Sequence, residues 1–388
     1  MSEPQVPFGD YYREIYARGL GGETPTIPVD WGELEARAEE AMEDRSAAYV
    51  YAGAGTGSTM RANREAFERV RIVPRMLRDV ADRDLSVELF GRRLPAPLLL
   101  APIGVHGIVH DEGEEATARA AAGLGLPLIV SSAATRTVEQ IAEAGGDGPR
   151  WYQLYWPNDD DLAASLVGRA EAAGYEAIVV TVDTYIPGWK PRDLQQAWLP
   201  MLEGVGNANY LADPVFRSAL EKTPEEDLGA AIGHYVGVYV NPSLTWDDLG
   251  RLREWTSLPI VIKGILHPDD AALAVSHGVD GVIVSNHGGR QVDGAIASLD
   301  ALPAVADAVD GALPVLLDSG VRCGADAFKA LALGADAVLV GRPYIWGLAL
   351  EGEQGVATVL RMLLAELDLT MALSGQASVA SLDRSVLA

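Results

Sequence analysis

The chain has 388 residues, 22% charged and 48% apolar, a balance that supplies ample core material and excludes a disordered polymer. Its formal charge of -25 argues against nucleic acid or an anionic membrane as partner, because either would meet net repulsion. A single cysteine, Cys323, excludes an internal disulfide and a cysteine-based zinc cluster, so no metal site is expected and a reducing, cytoplasmic setting fits.

In chain order, Met1 to Asp10 shows no basic region followed by an apolar one, and no apolar run is long enough to span a bilayer. Residues 1–95 form an N-terminal extension. It contains a helical stretch from Trp31 to Tyr49 and a hairpin from Leu85 to Leu94 suited to capping the bottom of a barrel. Between them, Gly53-Ala-Gly-Thr-Gly57 imitates a dinucleotide loop, but Ser58 stands where the last glycine belongs and no apolar strand precedes it.

Eight short apolar runs follow, at 97–102, 127–132, 150–155, 177–183, 259–263, 281–285, 314–318 and 337–341. Alanine-rich segments with helical spacing lie between most of them, such as Glu114 to Gly123, Asp160 to Gly174 and Gly324 to Gly334. The alternation predicts an α/β fold, a (β/α)8 TIM barrel over residues 96–350 within one domain spanning 1–388, closed by a C-terminal helical segment at 351–388. An open doubly wound sheet is the alternative. Residues 185–258, after the fourth strand, exceed a normal connection and read as an insertion with helix of its own, a lid or an interface element.

Polar groups gather at the predicted strand ends: Pro102, Gly104, Ser131, Gln153, Tyr155, Thr181, Asp183, Lys263, Ser285, His287, Arg290, Asp318, Gly320, Arg322, Gly341 and Arg342. So many convergent polar side chains on one rim predict a site, because unpaired polar atoms near a core are costly. Asp318-Ser-Gly-Val-Arg322 and Gly341-Arg342, after strands seven and eight, suit a phosphate. Tyr49, Tyr155, Asp183, Lys263, His287 and Arg290 suit acid/base or redox chemistry. Lys263 is either a Schiff-base nucleophile, as in a lysine-dependent barrel aldolase, or a fixed charge beside a cofactor.

These motifs, Ser-Asn-His-Gly-Gly-Arg-Gln at 285–291, Leu-Asp-Ser-Gly-Val-Arg at 317–322, Gln-Leu-Tyr at 153–155 and Thr-Val-Asp-Thr at 181–184, resemble the FMN-dependent L-2-hydroxy acid oxidizing family. The resemblance runs from Tyr49 to Gly375. It implies FMN as cofactor, a small 2-hydroxy acid and molecular oxygen as reactants, and a homo-oligomer, a tetramer or octamer. It implies His287 as base with Asp183 as its partner, Arg290 and Tyr49 on the substrate carboxylate, and Tyr155 on the hydroxyl. Lys263 would sit by the flavin pyrimidine, with Ser131, Gln153 and Thr181 on the ring edge and Pro102, Ile103, Gly104 and Ser285 completing the bed. Asp318, Gly320, Arg322, Gly341 and Arg342 would hold the ribityl phosphate.

Within the family, the segments Gly9 to Tyr16, Gly188 to Asp193 and Ala101 to Gly104 resemble lactate 2-monooxygenase, which decarboxylates lactate to acetate and CO2. The alternative is an oxidase that releases hydrogen peroxide, and lactate oxidases tend to carry alanine at the place of Gly104. Lys190 departs from the family arginine in the substrate pocket, and Arg192 is positioned in sequence to compensate. Ala133, where relatives often carry a bulkier residue, is expected to widen the pocket.

Overall fold

In the computed structural model, which describes residues 7–388, all eight apolar runs form strands. They are β1 (Leu98–Leu100), β2 (Leu128–Ser131), β3 (Arg150–Leu154), β4 (Ile178–Thr181), β5 (Ile260–Ile265), β6 (Gly281–Val284), β7 (Val315–Leu317) and β8 (Ala337–Val340). Every neighbouring pair is parallel, and β8 closes on β1 through Val338 opposite Leu98 and Val340 opposite Leu100, so the sheet is a barrel and not open.

Strand alternation divides the core in two. Leu99, Ile129, Trp151, Val179, Val261, Ile283, Leu316 and Leu339 fill the barrel interior, while their sequence neighbours face the outer helices. The hairpin Val87–Leu89 and Arg92–Leu94 plugs the lower mouth, burying Leu89 and Leu94 in the interior cluster and laying Phe90 against Trp151 with ring centroids 5.3 Å apart. That plug leaves the C-terminal ends of the strands as the open face.

The N-terminal helical stretch is two helices, Trp31–Ala41 and Asp44–Tyr51, and the second delivers Tyr49. A further helix, Ser58–Arg69, was not evident from hydrophobic periodicity. It starts where the glycine-rich loop ends, and that loop is closed by Asp293, whose carboxylate accepts from the Thr56 and Ser58 amides at 2.6 and 2.8 Å. The last helix, Arg342–Ser374, leaves helical geometry at Glu351 and Gly352, at the boundary expected between barrel and C-terminal segment.

The insertion holds five α-helices, among them Pro191–Gln196 and Leu228–Val238, and two short 3-10 helices. Its own core of Tyr210, Phe216 and Tyr235 is buried, whereas Tyr185, Ile186 and Trp189 at its start are exposed. No helix among the described residues is long and apolar enough to cross a membrane.

Candidate active site

The turn after β6 is built by side chains that capture its own backbone. Ser285 Oγ accepts from the His287 amide at 3.0 Å, and Asn286 Oδ1 accepts from the Gly289 amide at 3.0 Å. Asn286 also exchanges two hydrogen bonds with Asn63 at 2.8 and 2.7 Å, which fastens the turn to the Ser58–Arg69 helix. These contacts hold His287 at φ +58, a conformation that costs a non-glycine residue roughly 1–3 kcal/mol.

His287 Nδ1 lies 2.7 Å from Asp183 Oδ1. Thr184 Oγ stands 2.9 Å from that same carboxylate oxygen and 3.0 Å from His287 Nδ1. Burial alone would raise the Asp183 carboxyl, but the His287 and Lys263 charges and the hydrogen bonds outweigh it and hold the group below the ordinary aspartate value. On the other side of the ring, Nε2 sits 3.4 Å from the Tyr155 hydroxyl. Burial raises both Tyr155 and Tyr49 above the ordinary phenol value, so both hydroxyls stay protonated and can donate.

Three arginines bring the positive charge. Arg290 donates to the carbonyls of Tyr49 and Ala52 at 2.7 and 3.1 Å and stacks over the Tyr49 ring at 5.2 Å. Arg342 donates to the carbonyls of Val50 and Ala52, both at 3.1 Å, and Arg322 stacks over Trp346. None of the three pairs with a carboxylate among the described residues. Burial first, then the Arg322 and Arg290 charges, pulls the Arg342 guanidinium down to about 9. Such a cluster is stabilised by an anion placed among its forks.

Lys263 Nζ lies 3.1 Å from Asp318 Oδ2 and donates to Ser285 Oγ at 2.9 Å. Burial opposes its charge, yet Asp318 and Asp183 more than offset this and raise its pKa, which keeps it an ammonium. A Schiff-base nucleophile must be free and uncharged to attack, whereas Lys263 is paired with Asp318 at 3.1 Å, which speaks against the aldolase reading. Beneath it, Ser131 Oγ donates to Gln153 Oε1 at 2.9 Å, which leaves Gln153 Nε2 buried without a partner; Thr181 Oγ1 is likewise unpartnered.

One cavity of about 930 Å³, counted to its open mouth, unites these groups. Its wall includes Tyr49, Tyr155, Lys263, His287 and Arg290, then Pro102, Ile103 and Gly104 from the first loop, then Asp318, Gly320, Arg322, Gly341 and Arg342. Asp183 and Ser285 stand behind this wall, supporting His287 and Lys263.

Lys190 is half-buried, its Nζ 3.9 Å from Asp193 Oδ2. Burial, and then the Arg290 charge, lowers its pKa, and Lys190 is not part of the cavity wall that Arg290 lines. Arg192 turns away to pair with Glu39 and cover Tyr51, so it does not take up the arginine's role. Ala133 departs from expectation: it is buried under Gly104 and under Gly206 of the insertion, and it is not part of the cavity wall.

Comparison with known proteins agrees with this geometry. The model of the FMN-dependent dehydrogenase family matches residues 38–388. The chain belongs to that family. It is 46% identical over 369 residues to an L-lactate oxidase of Lysinibacillus sphaericus, covering 95% of each chain, and 45% identical over 341 residues to 2-hydroxyacid oxidase 1 of Mus musculus, covering 87% of this chain and 90% of the relative. Among solved structures, a mandelate oxidase superposes with a TM-score of 0.82 at 40% identity, over 93% of this chain and 98% of that one.

The cofactor of this FMN-dependent dehydrogenase is therefore FMN, and its residues fit that group. An arginine cluster without carboxylate partners matches a phosphate, and the orphaned Gln153 and Thr181 atoms match the hydrogen-bonding edge of a flavin ring. Sequence reasoning missed Thr184, Asn63, Ser319 and Gln291. Ser319 Oγ accepts from the Gly288 amide at 2.9 Å, and Gln291 Nε2 donates to the Asp183 carbonyl at 2.7 Å. Both lie inside quoted motifs, at 317–322 and 285–291, and that membership was the one available signal.

Proposed function

We propose that this FMN-dependent 2-hydroxy acid oxidoreductase works as an oxidase. It converts an L-2-hydroxy acid and oxygen to the 2-keto acid and hydrogen peroxide. The 2-hydroxy acid chemistry rests on His287 Nε2, which faces the cavity beside the Tyr155 hydroxyl while Nδ1 is held by Asp183, and the oxidase outcome rests on the relatives. Bound FMN supplies the two-electron acceptor.

His287 takes a proton from the substrate at Nε2, and Asp183 stabilises the imidazolium that results. Arg290 offers its remaining donors to the substrate carboxylate, with Tyr49 beside it and Lys190 adding a point charge. Tyr155 holds the substrate oxygen. Lys263 would keep a positive charge beside the flavin ring, and Arg322 and Arg342 would hold the phosphate with Gly320 and Gly341. Asp318 already faces Lys263, so it suits the ribityl hydroxyls better than the phosphate.

Sequence resemblance favoured lactate 2-monooxygenase, but the relatives reported above are oxidases, and the oxidase outcome is the better supported one. The test is the product profile from L-lactate with and without catalase. Pyruvate with stoichiometric peroxide is expected. Acetate formed in the presence of catalase would establish the decarboxylating monooxygenase instead.

A further inference from the structure

Tyr155 has a second cavity on its other side, lying between the ends of β4 and β5 and the last part of the insertion, with an empty volume of about 980 Å³ to its mouth. Trp156, Tyr239 and Trp246 share its wall with Tyr155, and Leu249 packs among them. Its electrostatics are the reverse of the first cavity. Among the described residues no lysine, arginine or histidine lines it, and its single carboxylate, Asp270, has no hydrogen-bond or ion-pair partner.

The two cavities thus sort ligands by charge. The first gathers Lys263, Arg290, Arg322 and Arg342 and suits anions; the second offers aromatic side chains and a lone carboxylate, which suit a cation with an apolar body better than a 2-hydroxy acid. We propose that the second cavity binds an arylalkylammonium ion, its ring among Tyr155, Trp156, Tyr239 and Trp246 and its ammonium at Asp270. The site touches the reaction centre through Thr184, which lines it and whose hydroxyl lies 2.9 Å from Asp183 Oδ1.

The test is calorimetric titration of the FMN-loaded protein with 2-phenylethylammonium and with its neutral counterpart, 2-phenylethanol, each with saturating oxalate present to fill the carboxylate site. The ammonium is expected to bind about tenfold more tightly than the alcohol, and Asp270→Asn to erase that difference while leaving lactate turnover unchanged. Leu249→Trp, which fills the cavity, should abolish binding of both. Should that variant lose its flavin, Asp270→Asn alone decides. Absence of ammonium binding, equal affinity for the alcohol, or an unchanged preference in Asp270→Asn overturns the proposal.

Discussion

His287 Nδ1 and Asp183 Oδ1 are 2.7 Å apart, although 104 residues separate them, and this single contact decides which ring nitrogen is available for chemistry. Asp183→Asn removes the charge and nearly keeps the shape. Anaerobic flavin reduction by lactate should slow by about 10²–10⁴-fold while FMN content stays at the wild-type level. Unchanged reduction would remove Asp183 from the mechanism.

The same residue gives a stability prediction. Its folded pKa lies below the ordinary aspartate value, so its contribution to stability is present above that value and is lost as pH falls through the folded one. Wild type should therefore exceed Asp183→Asn in denaturant midpoint at pH 7 by more than it does at pH 3. A gap independent of pH would contradict the sign.

Lys190 loses its proton at lower pH than a free lysine, through burial and the neighbouring Arg290. As pH rises through that lowered value, the point charge for the substrate carboxylate disappears and KM for lactate should increase. Lys190→Arg should flatten this alkaline limb and raise turnover on small hydroxy acids, because the guanidinium stays charged and donates in a plane. Superimposable pH profiles would show that Lys190 does not act on substrate.

Arg322→Ala and Arg342→Ala should both weaken FMN binding, each by about 10- to 100-fold as expected for a charge-assisted hydrogen bond. They should differ in a second readout. Arg342 also holds the Val50 and Ala52 carbonyls beside Tyr49, so its loss should raise KM for lactate in flavin-saturated enzyme, whereas loss of Arg322 should not. Equilibrium dialysis and steady-state kinetics separate the two.

Gly104 is packed so that an added methyl would lie 2.7 Å from the Ala133 carbonyl oxygen. Gly104→Ala should destabilise the fold by ~1–3 kcal/mol in urea, since the backbone on both sides must shift. A neutral change would mean that the Ala133 loop yields at no cost.

Limited proteolysis should cut first between Tyr185 and Trp189, whose side chains are exposed at the start of the insertion. An inert carboxylate should protect this segment if it closes over the substrate. Equal cleavage in its presence would assign the segment to an oligomer contact.

The eight strands, the closing hairpin and the cavity-lining motifs could be read directly from the chain. Buried parallel strands are continuous apolar runs, and a barrel puts its chemistry where each run ends, so local pattern carries both signals. The helix Ser58–Arg69 escaped because only Thr59, Asn63, Ala66 and Phe67 of it are buried. Ala133 was placed wrongly because its neighbour Gly206 lies 73 residues away, in an insertion whose path no periodicity describes. Tertiary structure alone decided that Arg192 turns to Glu39, that Asp318 pairs with Lys263, that Asn63 holds the His287 turn, and that aromatic residues around Tyr155 line a second cavity. Each depends on distances between segments remote in sequence, set by how the barrel closes and how the insertion packs on it, whereas the composition of a short segment reports only on its own burial.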